Sequence, residues 1–250
     1  MANAEMLKGH INWVEDMTTP QSILDADTSF LVGRVVVRVN DSSTEVTTLG
    51  INGGASRLAL GGDDADTGQF HGPLAFEADE SNTMSMQARF RSSDVSVSSL
   101  YVGWTDQNGS SEVPMEDEDG TLASAATDAM GVLLEGEQDG TWQTVGVQNG
   151  TDNAQAASTN ISDLTDSEWT TVLVAVNAAD SGTMRVDVDG VQLVTANTTS
   201  TVASGNNVTT SFFRSSIVFC PVISADDRST AYNLDVAEMA WWGNVGASFD

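Results

Sequence analysis

The sequence predicts an all-β protein, built as a two-sheet antiparallel sandwich or as a barrel. Runs in which apolar and polar residues alternate recur along the chain, as expected when successive side chains of a strand point to opposite faces. Short segments of Gly, Asn, Asp and Ser separate these runs, and no long amphipathic helix is apparent. At 250 residues the chain has the length of one large sandwich or of two smaller domains.

The most informative stretch runs from Trp169 to Val194. Residues 172–176 and 184–188 place valine or methionine at every second position, which is the period of a β-strand. Asp189 and Gly190 follow the second run, and this pair suits a two-residue turn that needs positive φ at both positions. The stretch therefore predicts two strands and a hairpin that leads into a third.

The same reasoning gives the other strands in chain order. The alternation begins near Phe30, and the clearest example is residues 83–91, with apolar side chains at the even positions. In the last apolar run the phase changes, which predicts a bulge near Glu238. The further predicted strands are 34–39, 45–51, 99–105, 130–134, 142–148, 209–223 and 234–242.

The N-terminal segment differs from the rest of the chain. Residues 1–27 lack strand alternation, and Pro20 interrupts them. We expect an irregular arm here, docked on the domain or on another subunit, and a single sandwich domain over residues 28–250. The apolar residues of the arm are our candidates for an assembly contact: Ile11, Trp13, Val14, Ile23 and Leu24.

The charge balance limits the range of partners. Asp and Glu number 36 against nine Lys and Arg, which gives a net charge of −27. Such a surface repels phosphate backbones and anionic lipid, so we expect neither nucleic acid nor membrane as a partner. An acidic, lysine-poor surface suits a salty medium and favours a marine or halophilic source, with simple solubility as the alternative explanation.

Cysteine usage and the N-terminus bear on the compartment. Cys220 is the single cysteine, so the chain forms no internal disulfide, and its apolar setting predicts a small buried side chain. The N-terminus shows no apolar core of a secretory signal, and no run is long enough to span a bilayer. We expect the chain to be made and folded in a cytoplasm.

The sequence offers little for catalysis. A nucleophilic hydrolase needs Ser or Cys beside His, and the chain has only His10 and His71, of which His71 lies in a predicted loop. The nearest pattern to a glycoside hydrolase is Glu135 with Glu137, which share a strand face, followed by Asp139. Because Asp139 falls in a predicted turn and acids are abundant, we expect no enzymatic activity.

Two acidic loops are rich in the oxygen ligands that calcium prefers. One carries Asp63, Asp64 and Asp66, and the other is the run 116–119 within a polar insertion at 106–127. Neither loop has EF-hand spacing, and solvated charge is the alternative for both. We therefore expect no cofactor, with calcium as the candidate ion.

Six tryptophans are candidates for core positions or for sugar-binding platforms. Trp104, Trp142 and Trp169 lie in strand patterns and are predicted to be core residues. Trp241 and Trp242 face opposite ways on a strand, so one of this pair is a candidate for exposure.

The order Trp-x-x-Val-x-Val, turn, strand, Asp-Gly, strand from Trp169 onward resembles the centre of concanavalin A-like and laminin-G-like domains. Residues 83–90 and 100–105 resemble earlier core strands of that family, and 234–242 resembles its closing strand. The resemblance covers roughly residues 30–242 and implies a two-sheet antiparallel jelly-roll sandwich. That fold hosts glycan binders, glycosidases, proteases and structural modules, so it does not by itself give a function.

A second resemblance is local and stylistic. Residues 102–107 (VGWTDQ) and 129–151 resemble capsid-associated sandwich proteins of phages from aquatic environments. This likeness implies a non-enzymatic decoration (cement) protein on the virion exterior, which binds the major capsid protein as a homo-oligomer, with a trimer favoured. The alternatives are a lectin-like carbohydrate-binding module for surface or host attachment and a divergent glycoside hydrolase.

Overall fold

The computed structural model confirms the all-β class and the two-sheet antiparallel arrangement. Among the described residues, the helical structure is a 3₁₀ turn at Val95–Val97, and no helix is long and apolar enough to span a membrane. The described residues are 10–15, 23–24, 29–32, 35–39, 44–49, 54–62, 66–74, 76–77, 83–107, 113–118, 121–136, 140–152, 156–157, 160–161, 164–177, 183–193, 202–203, 207–208, 217–227 and 230–244.

The strands are numbered in chain order. They are β1 (His10–Glu15), β2 (Ile23–Leu24), β3 (Ser29–Val32), β4 (Val35–Val39), β5 (Glu45–Leu49), β6 (Ala55–Ala59), β7 (Thr67–His71), β8 (Phe76–Glu77), β9 (Thr83–Ser92), β10 (Ser98–Thr105), β11 (Met115–Glu118), β12 (Thr121–Ser124), β13 (Ala129–Glu135), β14 (Trp142–Gln148), β15 (Thr151–Asp152), β16 (Ala156–Ala157), β17 (Thr170–Asn177), β18 (Thr183–Val188), β19 (Val191–Gln192), β20 (Val202–Ala203), β21 (Asn207–Val208), β22 (Val218–Asp227) and β23 (Asn233–Asn244).

Two large sheets form the sandwich. The first has nine strands in the order β19-β18-β17-β9-β23-β6-β5-β2, with β1 paired to β23. The second has ten strands in the order β15-β14-β13-β10-β22-β7-β4-β3, with β16 paired to β14 and β8 to β22. Two further pairs, β11–β12 and β20–β21, stand outside these sheets.

The main core fills the space between the sheets. The alternating apolar residues of β9 and β17, such as Met86, Phe90 and Val174, are fully buried there against residues of the second sheet, including Trp104 and Trp142. Each such side chain stabilises the fold by roughly 1.5–3 kcal/mol when it leaves water. The opposite positions of β9 and β17 therefore form the outer face of the first sheet.

The hairpin and the bulge lie where the sequence predicts them. Asp189 and Gly190 have φ of 51° and 79°, and Val188 pairs with Val191 across the turn. The register of β23 against β9 shifts between Val236 and Glu238. Both predictions are confirmed.

The polar insertion at 106–127 contains more order than its composition suggests. Its strands β11 and β12 pair with each other, and Met115 and Ala126 are buried against Tyr101, Leu133 and Val145 on the outer face of the second sheet. A few apolar side chains among many polar ones are enough to dock this hairpin. It thereby covers part of a sheet face that would otherwise meet solvent.

The N-terminal segment needs a correction. His10–Glu15 forms a strand that pairs with β23, with Trp13 opposite Trp241, and Ile23–Leu24 pairs with β5. The expected irregular arm therefore contains two strands of the first sheet. These two strands are held by pairing with β23 and β5. The sequence of the segment itself has no strand alternation, so it did not predict them.

Candidate functional site

A cleft of about 300 Å³ opens at the edge of the sandwich. Its walls come from β14 of the second sheet, the β18–β19 hairpin of the first sheet, and residues 160–161 and 164–170 ahead of β17. The residues that line it with polar or aromatic groups are Trp142, Asn160, Thr165, Glu168, Trp169 and Asp189. This volume lies at the lower end of the range for small-ligand sites.

The hairpin wall is fixed by its turn. The backbone N–H of Asp189 donates to the carbonyl of Thr171 at 2.8 Å, and Asp189 Oδ1 accepts from the N–H of Thr171 at 2.8 Å. Aspartate tolerates the left-handed conformation that this position requires, and Gly190 adopts it without a Cβ penalty. The turn is therefore tied to β17 by two hydrogen bonds.

The opposite wall is also anchored. Asn160 Nδ2 donates to the carbonyl of Gln192 at 2.7 Å, which joins the segment to β19. Asp166 Oδ1 accepts from the N–H of Val95 at 2.8 Å, and the N–H of Ser167 donates to the carbonyl of Ser92 at 2.7 Å. Because both walls are held by specific bonds, the cleft is formed before any ligand arrives.

Two tryptophans shape the cleft in different ways. Trp142 is fully buried, and its Nε1–H has no hydrogen-bond partner among the described residues. Trp169 is half-buried, so its prediction as a core residue is wrong. Its position is out of phase with the inward-facing Val172, and that phase is the sequence signal that places it on the outer face.

A row of charged residues crosses the outer face of the first sheet beside Trp169. Arg57 and Arg91 both pair with Asp235, at 2.7 Å and 2.8 Å, and the pKa of Arg57 is raised chiefly by its hydrogen bond to that carboxylate. The guanidinium groups of Arg89 and Arg91 lie 4.9 Å and 4.8 Å from the centroid of the Trp169 ring. Such cation–π contacts hold the indole in place.

These groups suit recognition of a hydroxyl-rich ligand. Among the residues that line the cleft, the carboxylates of Glu168 and Asp189 are acceptors, the Thr165 hydroxyl both donates and accepts, and Asn160 already donates to Gln192. Trp169 adds the part of its indole ring that Arg89 and Arg91 leave open, an apolar surface of the kind that packs on a sugar ring. Sequence reasoning missed Asn160, Thr165 and Glu168, because nothing in their spacing distinguishes them from ordinary loop residues.

A second polar cluster lies on the outer face of the second sheet. His71 is buried in β7, contrary to its predicted loop position, and its Nδ1 lies 3.7 Å from Cys220 Sγ. Gln69 Oε1 lies 2.5 Å from His71 Nε2, so the neutral imidazole that is protonated at Nε2 would donate to it.

Burial keeps both members of this pair neutral. Burial, aided by Arg38, lowers the pKa of His71 to about 3. Burial and Asp106 raise the pKa of the Cys220 thiol to about 12. A protonated thiol is a poor nucleophile. The contact between His71 and Cys220 is therefore a packing contact between two neutral side chains and not a reactive dyad.

The predicted acid pair for glycoside hydrolysis is only partly described. Glu135 is buried at the end of β13, where it accepts a hydrogen bond from the hydroxyl of Ser99. Glu137 and Asp139 lie outside the described residues. The Glu135 carboxylate therefore links two neighbouring strands of the second sheet. Its contacts give no support for glycoside hydrolysis at this position.

The calcium candidates divide in the same way. Asp66 is buried, and its Oδ2 accepts from the N–H of Gly61 at 3.0 Å, while Asp63 and Asp64 lie outside the described residues. Sequence reasoning missed Asp227, whose Oδ2 accepts from the N–H of Gly62 at 2.7 Å. In the part of the chain that the structure describes, no three His, Cys, Asp or Glu side chains gather as a metal site.

The candidate assembly residues all lie on described strands. Three belong to β1 and two to β2, but their side chains lie outside the described residues, so their role in contacts between subunits stays a prediction: Ile11, Trp13, Val14, Ile23 and Leu24.

No protein family matches the sequence, and no curated protein is significantly similar to it. The fold, in contrast, is shared with solved structures. The carbohydrate recognition domain of Emp46p in its potassium-bound form is 13% identical with a TM-score of 0.52, over 84% of this chain and 88% of that one. The corresponding domain of Emp47p is 14% identical with a TM-score of 0.51, over 88% and 93%.

A further structural neighbour matches along the whole chain. A protein of unknown function from Shewanella oneidensis MR-1 is 11% identical with a TM-score of 0.58, over 100% of this chain and 97% of that one. At these identities the likeness concerns the fold alone, and it confirms a lectin-like β-sandwich.

Proposed function

We propose that this protein is a carbohydrate-binding module that holds a glycan in the cleft beside Trp169 and carries out no reaction on it. The observation that carries the proposal is one cleft lined by two tryptophans and several polar side chains, in which the indole N–H of Trp142 is buried and has no partner among the described residues. A buried donor without a partner costs free energy, and a ligand hydroxyl that reaches this N–H would recover it.

The surroundings of Trp142 support a sugar as the ligand. Trp169 offers a half-buried ring, and Asn160, Thr165 and Glu168 place polar groups around it. Aromatic surface combined with a few fixed polar groups is the usual composition of a small-ligand site. The shared fold with carbohydrate recognition domains is compatible with this function, but the cleft itself supplies the argument.

Calorimetric titration with a panel of neutral and acidic oligosaccharides tests the proposal. Trp169→Ala removes the platform and should weaken binding about fivefold or more, because an aromatic contact of this kind contributes about 1 kcal/mol or more. Leu74→Ala is the matched control, since Leu74 is 40% exposed and lies outside the cleft.

The outcomes separate clearly. Binding that Trp169→Ala abolishes and Leu74→Ala leaves unchanged would support the cleft as the site. Absence of binding to every member of the panel, or equal binding by Trp169→Ala, would contradict the proposal. Thermal unfolding of each variant shows whether a loss of binding comes from a loss of fold.

A virion decoration protein is the second candidate function. The supporting observation is β1, which lies in the predicted assembly segment and pairs along one edge with β23. Its other edge has no strand partner among the described residues. A free strand edge is a surface on which another chain can add a strand.

Light scattering on the full chain in high salt tests this second candidate. A stable trimer or other homo-oligomer, together with sedimentation of the protein with capsids of its virus, would support decoration of a major capsid protein. A monomer that does not sediment with particles would contradict it. Neither result depends on a small ligand, so the two candidate functions are tested separately.

A further inference from the structure

The outer face of the first sheet holds an unusual share of the basic residues. The chain has nine Lys and Arg against 36 Asp and Glu. Four of the nine lie on this one face, as their register and exposure show: Arg57, Arg89, Arg91 and Arg185. The face therefore repels anions less than the average surface of a protein with a net charge of −27.

The four arginines differ in their pairing. Arg57 and Arg91 share Asp235, and Arg185 pairs with Asp187 at 2.9 Å. Arg89 is exposed and lies over the Trp169 ring. Among the described residues, no carboxylate lies within 4.0 Å of its guanidinium group. Arg89 is thus the arginine of this face whose charge a ligand can use.

Trp169 connects this charge to the cleft. It lines the cleft, and the guanidinium of Arg89 lies 4.9 Å from the centroid of its ring. A chain of sugar rings that leaves the cleft across Trp169 would meet Arg89 next. The acids Glu168 and Asp189 lie on the cleft side, where they accept from hydroxyl groups and disfavour an anionic substituent.

We propose that the glycan is anionic, with a carboxylate or sulfate group on the sugar beyond Trp169 that contacts Arg89. This inference rests on the proposed function, because it names the chemical class of the ligand for the same cleft. Guanidinium groups bind carboxylate and sulfate through charge-assisted hydrogen bonds. Elsewhere the acidic surface repels polyanions, so attraction of an anionic glycan is confined to this face.

Two matched pairs of glycans test the inference with the full chain. Polygalacturonate oligomers are compared with their methyl esters, which lack the carboxylate charge, and dextran sulfate is compared with dextran. The first pair tests a carboxylate and the second a sulfate. Arg89→Gln is the test variant, and Arg185→Gln is the matched control on the same face, because Arg185 pairs with Asp187 away from the cleft.

We expect the charged member of at least one pair to bind more tightly than the neutral member. Arg89→Gln should weaken that binding about fivefold, as expected for one exposed ion pair, and Arg185→Gln should change it less than about twofold. Equal binding of charged and neutral members would overturn the inference and leave the proposed function standing. Tighter binding of the charged member that Arg89→Gln does not reduce would also overturn it.

Absence of binding to all four glycans would overturn the inference, while the wider oligosaccharide panel decides the proposed function. Arg89→Gln is a safe variant for folding, because Arg91 still contacts the Trp169 ring at 4.8 Å. Trp169→Ala further distinguishes glycan binding in the cleft from recognition of an anionic group by Arg89. It should weaken neutral and charged glycans alike, whereas Arg89→Gln should act on the charged glycan alone.

Discussion

The side-chain amide of Asn160 donates a hydrogen bond of 2.7 Å to the backbone carbonyl of Gln192, and so joins the two walls of the cleft. The bond joins Asn160, which lies ahead of β17, to β19, the last strand of the hairpin. A ligand that enters the cleft meets walls already held at a fixed separation. Such preorganisation lowers the entropic cost of binding.

Asn160→Ala should therefore weaken glycan binding by about tenfold with little loss of stability. The hydrogen bond is exposed, so its loss costs the fold about 0.5–1 kcal/mol, but the walls then move independently. Asn160→Asp should behave similarly, because a carboxylate cannot donate to a carbonyl. Calorimetry gives the affinity and urea unfolding the stability. Unchanged affinity in both variants would show that the bond does not shape the site.

Gly190→Ala should destabilise the protein by about 1–2 kcal/mol, since Gly190 has a φ of 79° that L-residues rarely adopt. Apart from the adjacent residues of the chain, no atom lies within 4 Å of the added Cβ, so the expected cause is strain in the backbone. Gly190→Asn should cost less, because asparagine tolerates this conformation. The midpoints of urea unfolding show which variant is less stable. An equal loss of stability in Gly190→Ala and Gly190→Asn would contradict the prediction.

The stability of the protein should depend on pH through His71. Its pKa is lowered to about 3 in the folded state, chiefly by burial. The unfolded chain binds a proton below about pH 6.5 and the folded chain does not, so the stability associated with neutral His71 is lost as pH falls.

Between pH 7 and pH 5 the free energy of unfolding should fall by about 2 kcal/mol more in the wild type than in His71→Gln. The variant lacks the titrating group and retains the acidic residues, whose contributions cancel in the comparison. Urea unfolding at both pH values measures the difference. If the free energy of unfolding depended on pH in the same way in both proteins, the pKa of His71 would be the same in the folded and unfolded states.

Asp235→Asn should destabilise the protein by about 1–3 kcal/mol. Asp235 is buried between Arg57 and Arg91, and its neutralisation leaves two guanidinium groups without a counter-charge. The arginines are partly exposed, and solvent screening reduces the cost. Arg185→Gln serves as the control, since the side chain of Arg185 is 59% exposed and should contribute less. An equal loss of stability in Asp235→Asn and Arg185→Gln would show that the burial of Asp235 does not increase the contribution of its ion pairs.

The strands could be predicted because their side chains follow the burial pattern of a sandwich. Residues 83–91 alternate in the sequence, and in the structure the side chains of residues 84–91 are in turn buried and partly or fully exposed. The Asp189–Gly190 turn could be predicted because its backbone conformation admits few residue types. Strand β1 could not, because its order depends on pairing with β23 more than 200 residues away.

The candidate site could be predicted only in part. Trp169 was recognised as the start of a strand, but its outward direction depends on the phase set by Val172. Asn160 and Glu168 belong to a loop with no periodic pattern, and their convergence with Trp142 depends on how the two sheets face each other. Arg89 reveals its role only through the exposed ring contact with Trp169.

A glycan site in the cleft can be tested by the ¹⁵N-labelled NMR spectrum of the six tryptophan indole N–H groups, recorded with and without the tightest-binding oligosaccharide. Assignment follows from one Trp→Phe variant at a time. We expect the signals of Trp142 and Trp169 to shift on binding, because both residues line the cleft. Trp104 should stay in place, since its Nε1 is also buried without a partner in the described chain but lies away from the cleft. Shifts confined to tryptophans outside the cleft, with Trp142 and Trp169 unchanged, would contradict it.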